Sequence, residues 1–454
     1  MDLKQYLNLG TSVKRHEKRS DHKKLRIMLD KDWKGIRDFC KQPHEQIREW
    51  QFKKIKKLVK YAFNNVLLYK EKYSAIGFKP EDLKTWEDFE ALPILSKKEL
   101  IAGFPDKSVS KKHNLEFTTR SSGSSGKFVT IAVSRDAIYL DTIQGARQFY
   151  FQSGGNYTAK DLAVFIGTCP WWTSSIDGDY QTKFIPTTTN IENAEKIILD
   201  SRPKVLSLYP SYLSKFLEGG KKLKNSGLDL IVTHSEQSTL KQRIELSDFF
   251  GVPVLDEFSS EELTRIALEC PEREYHLEED ACYTEIIDLK TKKKVSNGKR
   301  GLIAGTNLLN YATPIIRYSQ DDITSIKGEQ NCGCKSNFRI MNQPEGRYAD
   351  SIITKEGSLI PSGCFMDIAY NWYLENNIPL HGLRYQIVQD KEGDLDIFLI
   401  KGAYNISNNQ KMKMKESFYQ LIPKNMKIKV HFGERAPITG GLKYRPIISL
   451  AERK

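Results

Sequence analysis

The residues best suited to chemistry lie in a few short runs. The first is Thr118 to Thr130, TTRSSGSSGKFVT. Its glycines and small hydroxylated residues let backbone amides converge on phosphate oxygens without side chains in the way, while Ser hydroxyls and Lys127 add donors and charge. The Walker A pattern is not met, because Ser121 stands where its first Gly belongs and Phe128 where its Ser or Thr belongs. Taken alone, such a run is more often a flexible loop. The second is an acid pair, Glu261-Glu262, by default a solvated helix start. The third is CPEREYHLEED, with Cys270 and His276, together with the distant Cys332 and Cys334 of a CGC run. Four ligands of Cys3His type suit tetrahedral zinc in a closed structural site. The alternative is four unlinked residues, since C-x5-H with a remote C-x-C is a weaker pattern than two C-x2-C knuckles. Lys443, in a Gly-rich loop, would ordinarily be a surface lysine.

Composition bounds these readings. The 454 residues are roughly three times the usual domain of about 150, so more than one domain is expected. Hydrophobic residues at 39% against 28% charged fit a folded chain and exclude a disordered one. No run approaches the roughly 18 apolar residues of a membrane helix. The opening MDLKQYLNLG turns basic without a signal-peptide pattern, so a cytoplasmic location is expected. In that setting seven cysteines do not form a disulfide framework, and Cys40, Cys169, Cys282 and Cys364 read as small buried hydrophobes. The net charge of +13 invites nucleic acid. The basic residues are spread out, however, and the densest cluster, Lys14 to Arg26, contains acids and reads as a solvated face or arm. No nucleic-acid partner is expected. A positive field drawing in an anionic substrate such as ATP fits as well.

The elements that must position these runs change character along the chain. EQIREWQFKKIKKLVKYAFNNVLLYKEKY has helical spacing, and Pro80 and Ser96 sit at helix starts. From about residue 115, FVTIAVS, DLAVFIG, VLSLY, LDLIVTH and VPVLDEF alternate with helical patterns, which predicts a largely parallel α/β layer structure. CYTEIIDL, GLIAGTN, PIIRYS and ITSI predict a strand-rich subdomain. GLRYQIVQD, LDIFLIKG and KIKVHFGE around the helix KMKMKESFYQLI predict a small α+β unit of about a hundred residues at the carboxy-terminal end.

SSGSSGKFVT resembles the Ser/Thr/Gly-rich loop of the adenylate-forming superfamily of acyl- and aryl-CoA ligases. The segment before it, NNVLLYKEKYSAIGFKPEDLKTWEDFEALPILSKKEL, resembles the branch that contains phenylacetate-CoA ligases and capsular polysaccharide biosynthesis ligases. THSEQ, LDEFSSEELTRIALEC, NLLNYATPIIRYSQDD, EGRYADSII and APITGGLKYRPIIS follow in the family's order, so the resemblance covers nearly the whole chain. It implies a large amino-terminal domain over 1–350 and a small mobile cap over 351–454. It also implies ATP-dependent activation of a carboxylic acid and transfer to coenzyme A, with magnesium as cofactor.

By that resemblance Ser122, Gly123, Ser124, Ser125, Gly126 and Lys127 cradle the pyrophosphate end. Glu262 holds magnesium, Phe258 and Ser259 flank adenine, and Ser235 and Glu236 line the other side of the base. Asp322 binds both ribose hydroxyls, for which two acceptor oxygens suit it. Arg347 lies near the nucleotide, Asp350 is the hinge, and Lys443 bridges carboxylate and α-phosphate. The branch carries a similar metal-like cluster, which strengthens the zinc reading.

Departures are Glu261 where the family has a small hydroxylated residue at phosphate, Ser259 for a Gly and Phe128 for a Pro. A second acid beside a triphosphate is repulsive unless metal or a base offsets it. Arg317 reads as a structural arginine. GTCPWWTSSIDGDYQTKF and SLYPSYL fall where the family builds its acyl pocket, and aromatic walls suit an aryl or other flat small acid. His234 either touches substrate or is a satisfied structural histidine. The sequence leaves open an amine or hydroxyl acceptor, an inactive nucleotide-binding relative, and a homodimer.

Overall fold

The structure is a computed structural model that describes residues 27, 31–113, 115, 117–121, 128–158, 160–167, 182–217, 223–224, 226–378, 383–401, 405–433 and 445–451. The first long element is the helix His44–Asn65. Its buried residues Ile47, Gln51, Ile55, Leu58, Val59 and Ala62 recur at the spacing that makes one stripe. The short helix Lys97–Gly103 begins in a reciprocal cap: Ser96 Oγ accepts from the Glu99 amide at 3.3 Å, and the Glu99 carboxylate accepts from the Ser96 amide at 2.8 Å.

A nine-stranded sheet organises the middle of the chain. Five of its strands, in spatial order Val254–Ser260, Leu230–His234, Val205–Leu208, Ala163–Gly167 and Thr182–Pro186, pair in parallel. The helix Arg135–Gln152 covers one face through Tyr139, Ile143, Ala146 and Phe149. The opposite face packs under residues of Ile191–Ser201 and Leu240–Phe250. Burial on both faces explains why these strands read as continuous apolar runs.

The sheet is not wholly parallel. Thr264–Glu269, Tyr275–Leu277, Ile340–Met341 and Ile326–Gly328 extend it by antiparallel pairing, so the parallel layer expected from sequence is half of a mixed sheet. A second sheet of Cys282–Ile287, Gly301–Asn307, Tyr318–Thr324 and Gly346–Arg347 is antiparallel throughout. Here PIIRYS departs from expectation, because its strand begins only at Tyr318. The Tyr69 hydroxyl instead donates to the Pro314 carbonyl and accepts from the Ile316 amide, both at 2.9 Å, and Arg317 adopts φ 52°.

Residues from Ile352 to Ile447 form a hydrophobic cluster of their own. It is built on a four-stranded sheet ordered Ile428–Phe432, Leu395–Lys401, Leu383–Gln389 and Ile447–Ser449, with the helices Ser362–Glu375 and Asn408–Phe418. Buried arginines are paired with carboxylates through the interior of the chain: Arg243 with Glu269, Arg317 with Glu285 and Arg339 with Glu279, each at 2.7 Å, and Arg265 with Asp141 at 2.6 Å. The structural role read for Arg317 is therefore the one it has.

Candidate active site

Three segments far apart in the chain meet around one group of carboxylates. The Val254–Ser260 strand turns back on itself through Glu261 and Glu262 into Thr264–Glu269, with Ser260 Oγ accepting from the Leu263 amide at 3.2 Å. That turn buries Glu262. Its Oε1 accepts from the Tyr318 hydroxyl at 3.3 Å, and its carbonyl accepts from Asn307 Nδ2 at 3.0 Å. Burial pushes the Glu262 carboxyl above its ordinary value, against the opposing hydrogen bonds and the charges of Lys97 and Arg347. A buried acid in this state gains from a cation beside it.

Asp322 lies four residues after Tyr318 on the same strand, directly opposite Arg347 in the ladder, with Arg347 Nε 3.7 Å from its Oδ1. Burial raises the Asp322 carboxyl to about 6, with Arg347 acting in the other direction. Asp350 ends the short turn Tyr348–Asp350 and is ion-paired with Arg445. Ser235 follows the Leu230–His234 strand at φ 66°, its Oγ 3.0 Å from His234 Nδ1. Glu236 accepts from the Ser211 amide at 3.1 Å. Both stand at the carboxyl ends of parallel strands, where open α/β sheets bind ligands. Phe258 and Ser259 are partly buried on the neighbouring strand, and Phe258 packs against the largest hydrophobic cluster.

The residues Ser122, Gly123, Ser124, Ser125, Gly126 and Lys127 lie outside the described residues, as do Trp171, Trp172 and Lys443. What flanks the Ser/Gly run is a two-stranded hairpin, Thr118–Arg120 against Thr130–Ala132. Its open end is closed by the Ser121 amide on the Val129 carbonyl and the Val129 amide on Ser121 Oγ, both 2.9 Å. Glu261 accepts a hydrogen bond from the Thr119 hydroxyl at 2.5 Å. The acid that broke the family pattern is thus engaged by the hairpin that flanks the Ser/Gly run.

Cys270, His276, Cys332 and Cys334 converge, with all four ligand atoms within 4.8 Å of one another. Cys270 and His276 flank the turn between Thr264–Glu269 and Tyr275–Leu277, and Ile340 pairs with His276, which draws in the segment carrying the CGC run. Cys270 and Cys332 sulfurs are 3.7 Å apart, close to the roughly 3.8 Å edge of a tetrahedron with zinc–sulfur bonds of about 2.3 Å. His276 Nδ1 lies 2.9 Å from the Phe338 carbonyl and Nε2 3.2 Å from Cys334 Sγ. A carbonyl at Nδ1 fixes the proton there and leaves Nε2 as a lone pair, the tautomer a metal ligand needs. The donor set fits zinc.

Sequence reasoning missed Tyr318, although it lies inside a quoted motif, and it missed Gln148, Glu257 and Arg265. Gln148 Nε2 donates to the Glu257 carboxylate at 2.9 Å, and its Oε1 accepts from Arg265 Nε at 2.8 Å. The available signal was a charged residue at an inward position of a parallel strand.

In fold and in motif order the chain is similar to AMP-forming ligases of the adenylate-forming superfamily. In sequence it is 24% identical over 373 residues to a phenylacetate-coenzyme A ligase of Escherichia coli strain K12, covering 79% of this chain and 82% of that one. In structure it is similar to 2-hydroxyisobutyryl-CoA ligase in the postadenylation state, with TM-score 0.73, 17% identity and 91% of each chain covered. The same ligase in the thioesterification state gives TM-score 0.59 at 18% identity, covering 90% of this chain and 91% of that one. No family profile matches the chain. Among the described residues, no helix is long and apolar enough to cross a membrane.

Proposed function

We propose that the protein activates a small carboxylic acid, aryl or otherwise flat, with ATP and transfers it to coenzyme A. A carboxylate oxygen attacks the α-phosphorus and pyrophosphate leaves, giving the acyl adenylate. The thiolate of coenzyme A then attacks the acyl carbon and AMP leaves. The observation that supports this reading is the convergence of Glu262, Tyr318, Asp322 and Arg347 from three separate motifs on one another.

In this reading Asp322 accepts both ribose hydroxyls, and Arg347 offsets charge beside it. Phe258 and Ser259 take one side of the adenine, and Ser235 and Glu236 the other. The run Ser122 to Lys127 surrounds the pyrophosphate end, held at its base by the Ser121–Val129 and Thr119–Glu261 bonds. Glu262 would hold magnesium, which neutralises triphosphate charge when bound. Cys270, His276, Cys332 and Cys334 would hold a structural zinc that ties the sheet edge to the CGC segment. Residues 351–454 act as a cap that turns about Asp350, and Lys443 on that cap bridges carboxylate and α-phosphate during adenylation. The reading retains a cytoplasmic location and no nucleic-acid partner.

Pyrophosphate release from ATP, screened over carboxylic acids with coenzyme A, hydroxylamine and amines as acceptors, tests it. Lys443→Ala should slow release by roughly 10²–10³-fold, the usual effect of removing one donor to transition-state charge. Release unaffected by that change removes the lysine's assigned role, and no release with any acid removes the ligase reading. Metal analysis should find about one zinc per chain, lost in the Cys332→Ser/Cys334→Ser double variant; a zinc-free wild type sinks the zinc assignment.

A further inference from the structure

The face of the main sheet under the Arg135–Gln152 helix changes chemistry along the strands. Ala163, Val205, Leu230, Val232 and Leu255 line its lower part as apolar ground. Side chains repeat on one face every second residue, so Phe165 and Ser207 stand level with Val232 and Leu255, and one step on toward the carboxyl ends stand His234 and Glu257. The ladder sets His234 opposite Glu257, and the Phe165 ring stacks on the His234 ring at 4.9 Å and 11°. Phe165 and Glu257 are partly exposed, as befits the wall of a crevice.

The helix supplies the other wall. Gln152 Nε2 meets the carbonyls of Asp256 and Glu269. One turn earlier, Gln148 meets Glu257 and Arg265. Moving back along the helix therefore moves toward the carboxyl ends of the strands, and the next residue on that stripe is Gln144. Gln144 is 3% exposed, and its Oε1 has no hydrogen-bond partner among the described residues. A buried amide acceptor without a donor costs about 1–3 kcal/mol unless a ligand supplies one.

Charge points the same way. Arg265 makes its direct ion pair with Asp141, and its contact with Glu257 runs through the Gln148 amide. Burial pushes the Glu257 carboxyl up, but Arg265, His234 and the hydrogen bonds of Ser259 and Gln148 outweigh it and hold it below the ordinary value. Glu257 is thus an ionised acceptor at the crevice, one guanidinium serving two carboxylates.

We infer that the acid taken by this site carries a hydrogen-bond donor, a hydroxyl or an amine, that seats against Glu257 and Gln144 Oε1. This deepens the ligase reading and rests on it. An undecorated hydrocarbon acid would strip water from Glu257 and return nothing, and sites built to bond a donor reject analogues that lack it.

The test compares phenylacetate with its hydroxyl- and amine-substituted forms in pyrophosphate release by the full-length wild type, Glu257→Gln, Glu257→Leu and Gln144→Leu. Substituted acids should show kcat/KM about 10²-fold or more above phenylacetate. Glu257→Leu should abolish or invert that ratio. Glu257→Gln, which keeps size and hydrogen bonding and guards against misfolding, should penalise amines more than hydroxyls. Gln144→Leu should reduce the ratio, and an unchanged ratio in that variant removes Gln144 from the proposed contact. Equal or better turnover of phenylacetate by wild type overturns the inference and leaves the ligase reading intact. Silence with every acid overturns the ligase reading, and calorimetry of the same acids then decides the inference: tighter binding of substituted acids, lost in Glu257→Leu, upholds it, and equal binding overturns it.

Discussion

The interior of the protein and its cleft treat buried carboxylates in opposite ways. In the interior, Glu269, Glu285, Glu279 and Asp141 each lie against an arginine guanidinium at 2.6–2.7 Å. In the cleft, Glu262 is met by the Tyr318 hydroxyl, Glu257 by the Gln148 amide, and Asp322 has Arg347 only at 3.7 Å. An arginine fork saturates a carboxylate and leaves it nothing more to do. A hydroxyl or amide orients a carboxylate while leaving lone pairs and charge for something that arrives later. On the proposed reading the same residue type is scaffold in one place and receptor in the other, and the partner decides which.

Substitutions that break this distinction should separate stability from activity. The largest effect is expected for Arg317→Met, which leaves Glu285 buried without its ion pair. Loss of about 3–5 kcal/mol in denaturant unfolding is expected, and a loss below about 1 kcal/mol would show that Glu285 is not held as drawn. Glu262→Gln should do the reverse. Because burial already raises its carboxyl, stability should hold or rise slightly, whereas acid-dependent pyrophosphate release should fall by roughly 10²-fold or more.

The smallest effect concerns Asp322, raised to about 6 by burial. A raised acid holds its proton more tightly when folded than unfolded, so its ionisation costs stability as pH climbs from about 4 to that value. Ribose needs the ionised form. Affinity for adenosine, which has no phosphate to titrate, should therefore weaken as pH drops through about 6. Asp322→Asn should bind roughly tenfold more weakly and lose that pH dependence; a wild-type affinity flat across this range counts against Asp322 as the ribose acceptor.

Much of this was readable in the chain because local chemistry and global position agreed. VLSLY and LDLIVTH are strands because both faces are covered, and Ser96 with Glu99 announces a helix start by itself. The four metal-ligand candidates were legible as residue types, but their closure depends on Ile340 pairing with His276, a contact set by two distant antiparallel strands. PIIRYS had the composition of a strand, yet the Tyr69 hydroxyl claimed the backbone groups a ladder would have used. Glu257 and Gln144 escaped notice for a related reason. Each sits inside an element whose pattern announces core, and only the pairing of strand and helix brings the two into consideration together.

The ion pair between Arg445 and Asp350 bears on Lys443 through chain geometry alone. Consecutive Cα atoms are 3.8 Å apart, so the Lys443 Cα can stray no more than about 7.6 Å from that of Arg445. Arg445 is anchored to the residue proposed as the pivot. On the proposed reading, that anchor would tie the lysine to the pivot by a leash two residues long. If Asp350 is the pivot, ionic strength or Asp350→Asn would slacken that leash and act on the timing of turnover before touching any group proposed to contact substrate.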